Sequence, residues 1–192
     1  MGGSRTVKTL TVLLVAMTLG ALALMMLETE PVRPAAQPLA VLSPPPAGPA
    51  QVIYETSVPL QRDAWRYVVI HAAGSSDAPA ASQCHLRIEP DGKGGWKVDA
   101  TPHWAKQQPS THVTGFWQNA SIGVCLIGDF SRQAPDREQF NLLVDLVNTL
   151  QEVCKIPADK VYLYSDLVSR STSPGEAFPA AKFASRLLRP QK

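Results

Sequence analysis

Few imidazoles and thiols are available in this 192-residue sequence to hold a metal ion, move a proton or attack a carbonyl. There are four histidines, His71, His85, His103 and His112, and three cysteines, Cys84, Cys125 and Cys154. Imidazole nitrogens, thiolates and carboxylates are the donors that bind zinc. By ligand type alone, His71, His112 and Asp166 could form such a set. His85 lies in a predicted strand, where a histidine is more often structural than a ligand. An odd number of cysteines makes no disulfide framework. Cys125 sits in an apolar run and Cys154 on the inner face of a predicted helix, so both read as inert packing residues. Cys84 could form a disulfide outside the cytoplasm, but nothing in the sequence chooses its partner. Neither Cys84 nor Ser171 has a base beside it in sequence that would activate it as a nucleophile. Among the tryptophans, Trp65 and Trp96 read as packing residues at strand ends. Trp104 and Trp117 flank His112, and packing or sugar-facing roles fit them equally.

The element that must position these residues is the run Ile122 to Ile127, bounded by Asn119 and by Gly128-Asp129. Its shortness and its Ile/Val content predict a strand buried on both faces. The helix that follows opens at Pro135 to Gln139. There Asp136 and Gln139 have capping-box spacing, and Phe140, Leu143, Val144, Val147, Leu150 and Cys154 form one apolar stripe. Pro157 ends it. Upstream, Arg66 to His71 is a first strand. Cys84 to Glu89 with Trp96 to Val98 is a hairpin around Asp91-Gly92. Thr101 to Trp117 shows no period and reads as a long loop over a cleft. Val161 to Tyr164 is a further strand, and Phe178 to Leu188 a closing helix. Strands interleaved with helices predict a single α/β domain, a central mixed β-sheet flanked by helices, over residues 52–192.

The ends of the chain are different. Residues 1–8 are basic, and Thr9 to Leu27 carries no charge. As a helix those nineteen residues would rise about 28 Å, close to the ~30 Å of a bilayer core. Arg5 and Lys8 before the run put the N-terminus in the cytoplasm and the domain on the exported side of the cytoplasmic membrane. A cleaved signal peptide is the competing reading, although its apolar region is usually about 7–15 residues long. Residues 28–51 are rich in Pro and Ala and predict a semi-rigid linker. The net charge of +2, without a basic stripe, argues against a nucleic-acid partner.

Val68-Val69-Ile70-His71, the His85 strand with Asp91-Gly92, Asn119 through Phe130, the helix start at Pro135, and Ser173-Pro174-Gly175 with Phe178-Pro179 occur in a telling order. Together they resemble the zinc amidase and peptidoglycan-recognition family, which cleaves or binds the muramoyl-to-L-alanine link of cell-wall peptides. The resemblance covers Trp65 to Leu188. It implies a metal held by two histidines and a Cys or Asp, with one position left for water. His71 matches the first ligand, but Tyr164 and Ser173 stand at the other two. Neutral hydroxyls are poor zinc ligands, because their protons are held near pKa ~10 or above. The resemblance also puts Cys84 where family enzymes carry a tyrosine, and Ser171 where they carry Lys or Thr. The loop between His71 and Cys84 is short for the family, lacking a helix that walls the cleft. Substrate contacts are expected from His71, His112, Trp104, Trp117 and Asn119.

The expectation is therefore a membrane-tethered domain that binds peptidoglycan or muramyl peptide, with catalysis lost and no cofactor. A working zinc amidase and a protein-binding envelope scaffold are the alternatives.

Overall fold

The computed structural model describes residues 7–8, 10–11, 14–19, 48–74 and 79–189. The chain divides into two compact units, Met1–Ser43 and Pro44–Lys192. In the first, the described residues are helical. The expected span Thr9 to Leu27 falls largely outside the described residues, and so does most of the linker. Among the described residues no helix is long and apolar enough to cross a membrane.

The second unit is built on five strands: β1 (Tyr67–Ala73), β2 (Leu86–Pro90), β3 (Trp96–Ala100), β4 (Ser121–Ile127) and β5 (Val161–Leu163). Their order in the sheet is β3-β2-β4-β1-β5. The β2–β3 hairpin is antiparallel, while β1–β4, β1–β5 and β2–β4 are parallel, so the sheet is mixed as expected. In β4 every residue but Ile127 is buried, as its unbroken apolar run predicts.

Five helices accompany the sheet: α1 (Pro102–Ala105), α2 (Phe116–Ala120), α3 (Arg137–Cys154), α4 (Tyr164–Leu167) and α5 (Ala180–Ser185). The start of α3 is set by Asp136, whose side chain accepts the Gln139 amide at 2.8 Å. That bond satisfies one of the donors left unpaired in the first turn. Its second carboxylate oxygen accepts Trp96 Nε1 at 2.6 Å, tying the helix start to β3. The helix ends at Lys155, which takes the left-handed conformation at φ 57° two residues before Pro157. Two expectations change. Thr101 to Trp117 is not one long loop: α1 and the beginning of α2 lie within it. The closing helix is shorter than Phe178 to Leu188, because Pro179 sets its start and Arg186 caps it. A 3-10 turn at Pro49–Tyr54 precedes the sheet, and its Ile53 is fully buried.

Side chains alternate across a strand, so β1 and β4 send two different sets to the two sides of the sheet. Val68, Ile70, Ala72, Ile122, Val124 and Leu126 join Leu143, Val144, Val147 and Leu150 of α3 in one apolar core. The opposite face carries Val69, His71, Gly123 and Cys125. That second face holds the chemistry.

Candidate functional site

Parallel pairing of β1 with β4 sets His71 beside Cys125. Cys84, two residues before β2, is drawn to the same place because the His85 amide donates to the Gly123 carbonyl at 2.9 Å. One imidazole nitrogen of His71 and the sulfurs of Cys84 and Cys125 all lie within 4.8 Å of one another. All three residues are fully buried. Neither ring nitrogen of His71 has a hydrogen-bond partner among the described residues. The Cys84 thiol donates to the Ala81 carbonyl at 2.8 Å. Its contact with Cys125 holds Cys84 well above the ordinary thiol range, and burial adds to this. The same contact draws Cys125 down against the opposing effect of burial, with His71 lowering it further.

Beneath this trio lies a hydrogen-bonded ladder of neutral histidines. Ser121 Oγ donates to the Trp117 carbonyl at 2.6 Å, so it must accept from His112 Nε2 at 2.9 Å. His112 Nδ1 is then an acceptor and takes the Ser110 hydroxyl at 2.6 Å. His85 Nε2 donates to the Gln108 carbonyl at 2.9 Å, leaving Nδ1 to accept the Gly123 amide at 2.9 Å. Every nitrogen of both rings is satisfied in the neutral form. Burial lowers His85 to about 4. It lowers His112 to about 2, with the neighbouring His85 and His71 adding to the effect. The His112 ring occupies the space that a side chain at Gly123 would fill, for a Cβ there would lie 2.4 Å from its Cγ.

The three positions that the resemblance gives to a zinc are occupied by His71, Tyr164 and Ser173. His71 offers an imidazole. The Ser173 hydroxyl oxygen, fully buried, accepts the Ala72 amide at 3.0 Å. The Tyr164 ring stands tilted, 6.2 Å from that of His71. Ser171 turns toward Ser173 and accepts its amide at 3.1 Å. The alternative ligand set of His71, His112 and Asp166 is not formed. Both nitrogens of His112 are taken, and Asp166 is exposed and caps α4 by accepting the Leu163 amide at 2.8 Å. Asp166 instead lines a groove of about 780 Å³ with Val161, Leu163, Phe183 and Leu187.

Of the expected substrate contacts, His71, His112 and Trp104 are fully buried and present no surface to solvent. Trp104 donates from Nε1 to the Ile53 carbonyl at 3.2 Å and packs in the core, tilted against Trp65 with ring centroids 6.2 Å apart. Trp117 is half-buried against Tyr67 and Tyr162, and Asn119 is exposed before β4. Cys125, which the sequence reads as a packing residue, is fully buried and also lies within the trio. The signal that could have found it is the register. Once β1 and β4 are paired in parallel, His71 and Cys125 must share a face.

Residues 61–176 match the profile of the family described as N-acetylmuramoyl-L-alanine amidase. Two solved structures share the fold. The N-acetylmuramoyl-L-alanine amidase LysC from Clostridium intestinale URNW is 18% identical with a TM-score of 0.51, over 65% of this chain and 86% of that one. AMPDH3 from Pseudomonas aeruginosa is 21% identical with a TM-score of 0.51, over 69% of this chain and 63% of that one. No curated protein matches the sequence.

Proposed function

Because the chain belongs to the N-acetylmuramoyl-L-alanine amidase family, we propose that its domain binds muramyl peptide or peptidoglycan without cleaving it. The observation that carries this reading is the state of Ser173. Its oxygen is fully buried and committed to the Ala72 amide at 3.0 Å. Amide hydrolysis by a zinc enzyme needs three protein ligands and an open fourth position for water. Here one of the three positions is bonded to backbone, a second is the phenol Tyr164, and the imidazole of His71 is shut from solvent. The family's metal is therefore assigned no step in this chain. Recognition is the part of the family's role that needs no such metal. The reading also places the domain on the exported side of the cytoplasmic membrane, held by the apolar run Thr9 to Leu27 behind Arg5 and Lys8.

One experiment on the full chain tests both halves. Cells are fractionated, and the solubilised protein is mixed with insoluble peptidoglycan in buffer containing added zinc. The chain should be recovered in the membrane fraction, should sediment with the peptidoglycan and should release no peptide from it. Peptide release would establish a working amidase and overturn the reading. Failure to sediment would favour the protein-binding scaffold.

A further inference from the structure

We propose that His71, Cys84 and Cys125 hold a single thiophilic closed-shell cation, Zn²⁺ or Cu⁺, at a site that does not use Tyr164 or Ser173. Two independent observations point to it. The first is the convergence of donors: three ligand atoms from three separate segments lie within 4.8 Å of one another. Metal bonds of about 2.3 Å to sulfur and about 2.0 Å to nitrogen put such donors roughly 3.5–4 Å apart. Side-chain movements of an ångström or less therefore close the set. The second is the unpartnered imidazole. His71 is fully buried, yet neither ring nitrogen has a partner among the described residues. Burying a polar group unpaired costs free energy, and native interiors rarely tolerate it without an ion, a water or a functional reason. A metal ion on one nitrogen removes that cost.

The donor set also selects the cation. Two sulfurs and an imidazole are soft and borderline ligands that favour Cu⁺ and Zn²⁺ over oxygen-seeking ions. Zn²⁺ with two thiolates and a neutral imidazole is uncharged overall, which suits an interior. Cu⁺ accepts three ligands, which suits a site with no solvent-exposed fourth position. Either ion displaces the protons of the two thiols on binding. With all three ligands inaccessible, the ion ties β1, β4 and the segment leading into β2 and is not a hydrolytic centre. The proposal does not rest on peptidoglycan binding, since metal content and sedimentation are measured separately.

The full chain, reduced and handled without oxygen, is loaded with Zn²⁺ in one arm and with acetonitrile-stabilised Cu⁺ in the other, then passed through gel filtration. One equivalent of metal should remain in at least one arm, and the arm that retains it under competition identifies the ion. X-ray absorption of the loaded wild type should report two sulfurs and one nitrogen. Cys84→Ser and Cys125→Ser should each weaken binding at least about tenfold, whereas Cys154→Ser should leave it unchanged. The metal should raise the melting temperature of the wild type and of Cys154→Ser, and not of the other two variants. Retention below about one-tenth equivalent in both arms, a ligand shell of oxygen and nitrogen alone, or undiminished binding in Cys125→Ser would overturn the proposal. So would a Cys84–Cys125 disulfide in the isolated chain, together with no metal uptake after its reduction.

Discussion

Replacing Gly123 by alanine isolates the contact on which the buried face of the sheet depends. The backbone there is ordinary strand, without the positive φ that would require glycine, so an alanine is strained only by what its Cβ meets. It meets His112, at 2.4 Å from Cγ, 2.6 Å from Cδ2 and 2.9 Å from Cβ. Restoring a 3.4 Å contact requires the ring to retreat by 1.0 Å (3.4 − 2.4). Hydrogen bonds of 2.6 Å to Ser110 and 2.9 Å to Ser121 pin the ring at both ends, so at least one must break. Overpacking costs about 1–3 kcal/mol, and each lost hydrogen bond about 1 kcal/mol. Against these, alanine gains about 0.5–1 kcal/mol over glycine in chain entropy. Gly123→Ala should therefore destabilise the protein by about 1–3.5 kcal/mol. The assay is urea unfolding followed by the fluorescence of the buried Trp65 and Trp104, in a double-mutant cycle with His112→Ala. Without the ring only the contact with the Cβ of residue 112, at 2.9 Å, remains of the three, and the cycle should show a coupling of about 1–3 kcal/mol. A Gly123→Ala cost under about 0.5 kcal/mol, or an equal cost in both backgrounds, would refute the reasoning.

The neutral histidines make stability fall with acid. His85 and His112 titrate at about 4 and about 2 in the fold against 6.5 in the open chain. The folded values are depressed, so the unfolded state binds more protons below pH ~6.5. Stability is thus full above that pH and declines toward the folded values. By pH 5 the two together should remove about 4 kcal/mol, at about 1.4 kcal/mol per group and pH unit. Urea midpoints at pH 7 and pH 5 check this, and unchanged midpoints would contradict it. Asp136→Ala should cost about 1–3 kcal/mol through loss of the helix cap and of the bond from Trp96 Nε1. Asp136→Asn, which keeps an oxygen for one of them, should cost less when both are compared by thermal unfolding.

The layers of the domain could be read from the sequence because periodicity records burial. The stripe on α3, the apolar run of β4 and the turn at Asp91-Gly92 each signal their state locally. The site could not be read this way, since its members meet through pairing register and not through spacing. Cys84 and Cys125 are 41 residues apart (125 − 84), and in isolation each resembles any buried thiol. His71 stands out in the sequence, but the family's pattern pairs it with Tyr164 and Ser173 and not with the two cysteines. His112 was expected in an open cleft. The lone glycine inside the β4 pattern was a sign of close approach by another group, and that group is the His112 ring.

The strand order has a consequence for a chain that emerges from the ribosome one residue at a time. β1 has no sequence-adjacent partner in the sheet: its neighbours are β4 and β5. Tyr67 must wait for Ser121, 54 positions later (121 − 67), before the central pair can close. The apolar side of that pair stays uncovered until α3 is complete at Cys154. Among the strand pairs only the β2–β3 hairpin can form from contacts close in sequence, and a two-stranded hairpin alone is marginal in water. A nascent chain that stops short of Cys154 therefore lacks the cover for its central pair, and the sheet closes only after β5 and the core residues Phe178 and Phe183 have followed.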